Sequence, residues 1–346
     1  MDVSKRKTII FACSLTSKKH HFDGERRKSS DILDVLKKRY NVKVCNFTKN
    51  KYLQLIKFIF LVFFNRKRFV FIAKAPTGGN LLLKILRSIK YPQSLIAFYL
   101  YGKGLLGGYF ESRVNIINLK YPDCLICESN FIKNDFVERG FDEKKIKIFP
   151  CLKKNYNIDI PQYKKKDIVL GVFISRIVEA KGVLDLIKAL NIVNKNQTKY
   201  KVTISGGWPE IETEKKIIEE AKRRNDIEYL GQSFSLSEQK DYEFLSLFDI
   251  HFFPTKFPHE GIPGVAIDAF VAGLPTLTSS YDCANEVFSD ETAFFFKYAD
   301  LNDLVLKMNY LYENQKELYS KRANCLKEAK KYSEESFDIF ISKIIG

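Results

Sequence analysis

Short apolar runs alternate with longer amphipathic segments along most of the chain. In the second half, five such runs predict buried strands, and the segments between them have helical periodicity. These strands are predicted at 168–175, 201–205, 227–230, 249–253 and 276–279. Successive parallel strands need a crossover connection, usually a helix, so this order predicts a parallel sheet with helices on both faces.

The first half shows the same alternation less clearly. Its strands are predicted at 8–12, 42–45, 69–73, 95–101, 124–128 and 145–149. A turn at Gly78-Gly79 is expected to precede a helix over 80–89. Residues 153–167 contain several lysines and no apolar period, which is typical of a linker. We therefore predict two α/β domains with doubly wound parallel sheets that face a central cleft, where ligands normally bind.

The predicted domains cover residues 1–155 and 156–332. The remaining segment, 333–346, is predicted to be a helix that crosses back to the first domain or caps the second.

The most informative segment is residues 259–275, which follow a predicted strand. Glu260 lies in the loop and Asp268 in the next helix, so two carboxylates flank a helix start. Pro263 suits the first helical position, and Gly273 suits the helix end. Free N–H groups at a helix start attract phosphate, and carboxylates hydrogen-bond hydroxyl groups. The segment therefore indicates a ligand with phosphates and hydroxyls, such as a nucleotide sugar.

A second loop, residues 175–182, follows the first predicted strand of this half and contains Arg176 and Lys181. Two cations at the carboxyl end of a strand suit a diphosphate, with Arg as a fork and Lys as a point charge. The alternative is a solvated turn with ordinary surface charges. Glu260 is predicted at the same edge of the same sheet, which favours the diphosphate site.

These spaced motifs resemble the nucleotide-sugar half of the retaining glycosyltransferases of family 4, which have the GT-B fold of two Rossmann-like domains. The resemblance covers residues 168–340 and includes the Gly206-Gly207 turn. It implies transfer of a hexosyl group from a nucleotide sugar, with the first domain binding the acceptor and the second the donor. A basic, aromatic-rich acceptor domain suits a lipid-linked saccharide, as in cell-surface polysaccharide synthesis.

The resemblance also implies roles for individual residues. Glu260 would contact the donor sugar, and Arg176 and Lys181 would neutralise the leaving diphosphate, which makes these three the catalytic candidates. The donor-binding candidates are Gly24, Gly206, Gly261, Ile262, Pro263, Gly264, Val265 and Asp268. Backbone N–H groups of 262–265 would meet the diphosphate, Asp268 the ribose hydroxyls, and Gly24 would allow close approach of the first-domain loop. The nucleotide sugar, most simply a UDP-sugar, would be the only co-substrate, with no metal.

Two features depart from the family pattern. The second acid is normally Glu, and Asp268 is shorter by one C–C bond, about 1.5 Å. Many relatives also carry a His near the end of the fourth strand of the first domain, whereas this chain has none there and Lys103 is the nearest candidate. His20 and His21 are further candidates, although adjacent histidines in a basic loop are more often exposed.

The net charge of +16 is unevenly distributed. Residues 1–155 carry 32 basic and 12 acidic side chains, whereas the remainder carries 25 and 29. Residues 51–100 contain nine basic side chains and no acidic one. A one-sided basic field indicates an anionic surface or polymer. Because these residues form no recognisable nucleic-acid module, we expect an anionic membrane surface rather than nucleic acid.

One segment of the first half, residues 52–64, is apolar apart from Gln54 and Lys57 and is followed by a basic run at 66–68. Crossing a bilayer needs about 20 residues, so this segment is too short. It is either an amphipathic helix packed on the sheet or a helix lying in the interface of an anionic membrane. Both interpretations can hold for different faces.

The seven cysteines are scattered, and only Cys124 and Cys127 are close. They lie three apart on a predicted strand, so they should point to opposite faces. An odd number of cysteines in apolar settings indicates a reducing compartment, and we find no signal peptide before the first strand. We expect a cytoplasmic protein, peripheral at the inner face of the cell membrane.

A second class of function is a non-catalytic GT-B protein that binds a nucleotide sugar or acts as a membrane-associated partner. The missing His and the shortened Asp268 favour it, whereas Glu260, Arg176 and Lys181 favour an enzyme. A GT-B epimerase would need an acid and a base in the cleft that the sequence does not place.

Overall fold

The computed structural model describes residues 6–15, 24–100, 114–234, 236–257 and 260–346. The chain divides into two compact units. Unit 1 is Met1–Lys154 together with Tyr332–Gly346, and unit 2 is Asn155–Lys331. Each unit is built on one six-stranded sheet in which all pairings are parallel.

The sheet of unit 1 has the strand order β2-β1-β3-β4-β5-β6. Its strands are β1 (Thr8–Cys13), β2 (Asn41–Asn46), β3 (Phe69–Lys74), β4 (Ile96–Leu100), β5 (Cys124–Cys127) and β6 (Ile146–Ile148). The α-helices of its described residues before β7 are α1 (Gly24–Arg39), α2 (Lys51–Phe64), α3 (Pro76–Ser88), α4 (Ile116–Leu119) and α5 (Asn130–Glu138). Each strand lies close to where the apolar runs predicted it.

Alternating strand residues send side chains into two separate cores. One core contains Phe58 and Val62 of α2 and residues from α3 to α5. The other contains residues of α1 and of the C-terminal helix, α13 (Glu334–Ile345). Cys127 lies in the first core and Cys124 in the second, which confirms that they point to opposite faces.

The predicted turn at Gly78-Gly79 is wrong, because α3 begins at Pro76 and runs through both glycines. A Cβ on Gly79 would lie 2.4 Å from Cζ of Phe98, in β4. This glycine therefore lets the helix approach the sheet closely instead of breaking the chain direction.

Unit 2 has the strand order β12-β11-β10-β7-β8-β9. Its strands are β7 (Val169–Ile174), β8 (Tyr200–Ser205), β9 (Ile227–Tyr229), β10 (Ile250–Phe253), β11 (Thr276–Ser279) and β12 (Ala293–Phe296). Its helices are α6 (Val183–Val193), α7 (Ile211–Arg223), α8 (Gln239–Leu245), α9 (Gly264–Val271), α10 (Ala284–Val287), α11 (Leu301–Glu313) and α12 (Gln315–Ala329). This is the Rossmann order, in which the direction of winding reverses between the first and fourth strands of the unit, β7 and β10.

Two details of unit 2 were not predicted from the sequence. Helix α8 begins at Gln239, and its cap is a reciprocal pair of Glu238 and Asp241. The sequence pattern also did not separate β12, α11 and α12, because apolar and charged residues are mixed throughout that stretch.

Candidate active site

Both predicted motifs of unit 2 follow strands that flank the point where the strand order of its sheet reverses. Strand β7 leads into the Arg176–Lys181 loop, and β10 leads into the Glu260 loop. The two strands are neighbours, with Ile250 opposite Gly171. In open α/β sheets, ligands bind outside the carboxyl ends of the strands at such a point.

Glycines hold these loops close together. Gly182 has φ +78°, and a Cβ there would lie 1.8 Å from the carbonyl oxygen of Pro254, after β10. A Cβ on Gly206, after β8, would lie 1.6 Å from the carbonyl oxygen of Ser175. Gly206 is therefore required by backbone packing around the site, in addition to any contact with a ligand.

A buried ion pair joins the two loops. Lys181 Nζ donates to Oε2 of Glu260, and Thr255 Oγ1 donates to the same oxygen at 2.8 Å. Burial lowers the pKa of Lys181; Glu260 opposes this effect and Arg176 adds to it. Glu260 Oε1 accepts no hydrogen bond from the described residues, so it remains available to a ligand.

An aromatic ring, Phe257, connects the two cations. Arg176 lies over this ring at 5.7 Å from the centroid, and Lys181 lies over it at 5.1 Å. Arg176 is exposed, and its guanidinium makes no hydrogen bond or ion pair with the residues that the structure describes. The Arg176 guanidinium is therefore stacked on the Phe257 ring close to the buried Lys181–Glu260 pair, with no charged partner among the described residues. Phe257 was not predicted from the sequence, where its only signal is its place beside the motif.

Helix α9 begins one residue later than predicted. Gly264 is the first helical residue, and Pro263 is the N-cap, with φ −76° and ψ 122°. Proline's fixed φ is compatible with this extended position as well as with the first turn. The predicted end is confirmed: Gly273 has φ +61°, and its N–H donates to Phe270, while that of Leu274 donates to Ala269. These are the two bonds of a Schellman cap.

Asp268 lies inside unit 2, on the buried side of α9. It is 3% exposed and accepts a hydrogen bond of 2.7 Å from the hydroxyl of Tyr242, whose oxygen also lies 2.9 Å from the carbonyl oxygen of Leu236. Burial lowers the pKa of His251 to about 4, and the nearby Asp268 carboxylate opposes this shift. Tyr242 was not predicted from the sequence because it lies on a separate helix, α8.

Unit 1 has a polar cluster at the carboxyl ends of its own strands. Lys74, at the end of β3, donates to Oγ of Ser14, after β1, at 2.7 Å. Burial lowers the pKa of Lys74, which Glu25 opposes. Lys28 pairs with the buried Glu128, after β5. Strand order reverses between β1 and β3, so this edge is also a typical ligand position.

Three predicted acceptor-side candidates, His20, His21 and Lys103, lie outside the described residues. So does His259, at the start of the donor-side segment 259–275. Gly24 is the first residue of α1, in unit 1. Within the described ranges, no group of three or more His, Cys, Asp or Glu side chains is arranged to hold a metal ion.

The fold has close counterparts among solved structures. HepE of Anabaena in complex with UDP is 13% identical, with a TM-score of 0.73 over 97% of this chain and 98% of HepE. The apo lipopolysaccharide outer core galactosyltransferase WaaB is 12% identical, with a TM-score of 0.65 over 97% and 100%. TarM is 16% identical, with a TM-score of 0.64 over 85% of this chain, which spans 58% of TarM. The two Rossmann-like units therefore have the GT-B fold.

The family is shown by the sequence itself. Residues 155–332 match the model of the glycosyl transferases group 1. The chain belongs to this glycosyltransferase family. No curated protein matches the chain significantly.

Proposed function

We propose that the protein is a retaining glycosyltransferase of family 4 that moves a hexosyl group from a nucleotide sugar to a saccharide acceptor. UDP is the proposed carrier, which is supported by the UDP bound to the similarly folded HepE. The proposed acceptor is lipid-linked and the product a cell-surface polysaccharide. The reaction would then take place at the cytoplasmic face of the membrane.

One observation carries this proposal: Arg176, Lys181 and Glu260 meet at the carboxyl ends of β7 and β10. The Arg176 guanidinium and the Oε1 oxygen of Glu260 both lack a hydrogen-bond partner among the described residues. The guanidinium suits a diphosphate, and the carboxylate oxygen suits a sugar hydroxyl. The free N–H groups at the start of α9 add a further site for phosphate oxygens.

These groups fit the charge changes of the transfer. As the bond from the anomeric carbon to phosphate breaks, negative charge grows on the diphosphate and positive charge on the sugar. Arg176 and Lys181 stabilise the first, and the Glu260 carboxylate stabilises the second. The acceptor oxygen bonds to the same face of the anomeric carbon, and its proton passes to the leaving phosphate oxygen. This route gives retention, and it needs neither a metal nor a side chain that acts as general base.

Asp268 is the proposed ribose contact, with Tyr242 fixing the orientation of its carboxylate through the 2.7 Å hydrogen bond. On the acceptor side, we propose the cluster of Lys74, Glu25 and Glu128 at the edge of the unit 1 sheet. Its mixed charges suit a saccharide diphosphate, with Lys74 for phosphate and the carboxylates for hydroxyl groups.

Thermal unfolding with UDP, GDP, TDP and their sugars tests the donor site. A ligand at 100 times its dissociation constant adds about 2.7 kcal/mol of stability, so UDP should raise the melting temperature. Arg176→Ala should abolish the shift without lowering the melting temperature of the free protein, because this side chain is exposed. Arg223→Ala, an exposed substitution on α7, is the matched control.

A stabilising nucleotide sugar with neither transfer nor hydrolysis would assign the protein to the non-catalytic class. No shift with any nucleotide would contradict the donor site itself. The anomeric configuration of the product, read by NMR, tests retention.

A further inference from the structure

Helix α2 is apolar on nearly all sides, but the sheet of unit 1 covers only one of them. Phe58 and Val62 are its buried residues, and Leu55 and Leu61 pack partly against the same core. The opposite side carries seven large apolar residues that are exposed, from Ile59 at 41% to Tyr52 at 81%. They are Tyr52, Leu53, Ile56, Ile59, Phe60, Phe63 and Phe64.

These seven residues, here called the α2 apolar face, form one continuous surface. Positions 52, 56, 59 and 63 follow each other at spacings of three and four, so they form one row along the helix. Positions 53, 60 and 64 form the neighbouring row. The rings of Phe60 and Phe64 lie 4.6 Å apart, and those of Phe63 and Phe64 lie 5.4 Å apart. A contiguous apolar surface rimmed by polar residues marks an interaction site.

The rim is basic. Lys51 begins the helix, and Arg66 and Lys67 follow its end; all three are exposed. Lys57 lies at the border of the α2 apolar face and donates to the carbonyl of Val44 at 2.9 Å. No acidic residue occurs between positions 51 and 100. The charge around the face therefore complements an anionic surface.

From this combination we infer that α2 is a membrane-docking helix that lies flat in the interface of an anionic bilayer, with the α2 apolar face among the acyl chains. A helix of 14 residues is about 21 Å long, which suits the plane of the interface. No helix in the described ranges is long and apolar enough to cross a bilayer. The basic rim would bind lipid phosphates.

A second copy of the chain fits this surface poorly. Pairing two α2 apolar faces would bring two basic rims together, and like charges oppose association. An anionic bilayer presents opposite charge around an apolar interior, so it matches both parts of the surface.

The inference is independent of the proposed transfer reaction, and vesicle flotation tests it without any turnover. The probes are vesicles of phosphatidylcholine alone and vesicles with about one-third phosphatidylglycerol. Wild-type protein should float with the anionic vesicles and release with added salt. Lys51→Gln/Lys67→Gln should weaken binding about fivefold for each charge removed.

Phe60→Glu/Phe63→Glu should lower the partition coefficient by on the order of 100-fold. Both side chains are exposed, so the melting temperature and the response to UDP should remain those of the wild type. Ile211→Glu/Leu306→Glu, which places the same charges on exposed apolar positions of unit 2, should still float.

Equal loss of binding in Phe60→Glu/Phe63→Glu and in Ile211→Glu/Leu306→Glu would overturn the inference. Wild-type protein that fails to float, or that binds neutral vesicles equally well, would also overturn it. A stable dimer in light scattering that Phe60→Glu/Phe63→Glu dissociates would assign the α2 apolar face to a second copy.

Discussion

The substitution Glu260→Gln tests whether the buried Lys181–Glu260 ion pair organises the proposed donor site at the carboxyl ends of β7 and β10. It keeps the side-chain shape and the hydrogen bond from Thr255 Oγ1, but removes the charge opposite Lys181. Lys181 and Glu260 are only 6% and 7% exposed, so water cannot replace the lost partner. Leaving one member of a buried pair alone costs about 3–5 kcal/mol, a large share of a typical stability of about 5–15 kcal/mol.

Urea unfolding of a double-mutant cycle measures this cost. Lys181→Met/Glu260→Gln removes both charges, so it should be less destabilising than the sum of its single substitutions, by about 0.5–3 kcal/mol. Lys256→Met is the control, because Lys256 pairs with Asp185 at 2.9 Å in the same region but is about a quarter exposed. That substitution should cost about 1 kcal/mol or less.

Turnover provides a second measurement. Each single substitution of the pair should lower the transfer rate by on the order of 10²–10³, and the double variant should be little slower than either, because the residues act as a unit. Single-substitution effects on stability that add within about 0.5 kcal/mol would refute the coupling. Unchanged turnover would remove Lys181 and Glu260 from the mechanism.

Two further outcomes are expected. Gly206→Ala should lower the free energy of unfolding in urea by about 1–3 kcal/mol, because its Cβ would lie 1.6 Å from the Ser175 carbonyl oxygen. The control is Gly231→Ala, where φ is +56° but the space around the Cβ is open; it should cost only about 1–2 kcal/mol. A smaller effect at Gly206 than at Gly231 would contradict the close contact of Gly206 with the Ser175 backbone. The pKa of His251 is about 4 when folded and about 6.5 when unfolded, so the unfolded chain binds the proton first on acidification. Stability should therefore fall by up to about 3 kcal/mol from pH 6.5 to pH 4, and His251→Leu should remove that part of the slope; equal slopes would rule it out.

The features predicted from the sequence are those set by short stretches of the chain, namely the strands and the loops that follow them. Periodicity located every described strand of the two sheets except β12, and the position of loops after strands placed Arg176, Lys181 and Glu260 at one edge. That inference works because parallel strands end at the same edge whatever their order. It could not show that Lys181 and Glu260 pair with each other, since this depends on β7 and β10 being neighbours.

The pattern of apolar and polar residues did not predict contacts between segments that are distant in the sequence. Phe257 and Tyr242 are ordinary aromatic residues in the sequence, and only the folded unit brings them to Arg176 and Asp268. Gly79 was misinterpreted as a turn for the same reason. Its role is set by the ring of Phe98, nearly twenty residues further on.

The two units are assembled from the chain in different ways. Unit 2 is one continuous stretch, whereas unit 1 needs α13. The ring of Phe337 in α13 lies 5.0 Å from that of Phe149, and Ile341 is fully buried in the same core. During synthesis, the ribosome makes all of unit 2 before this helix. One side of the unit 1 sheet is therefore covered only in part, by α1, at a stage when unit 2 can already fold. A nascent chain stalled before Tyr332 should therefore expose apolar surface and recruit chaperones.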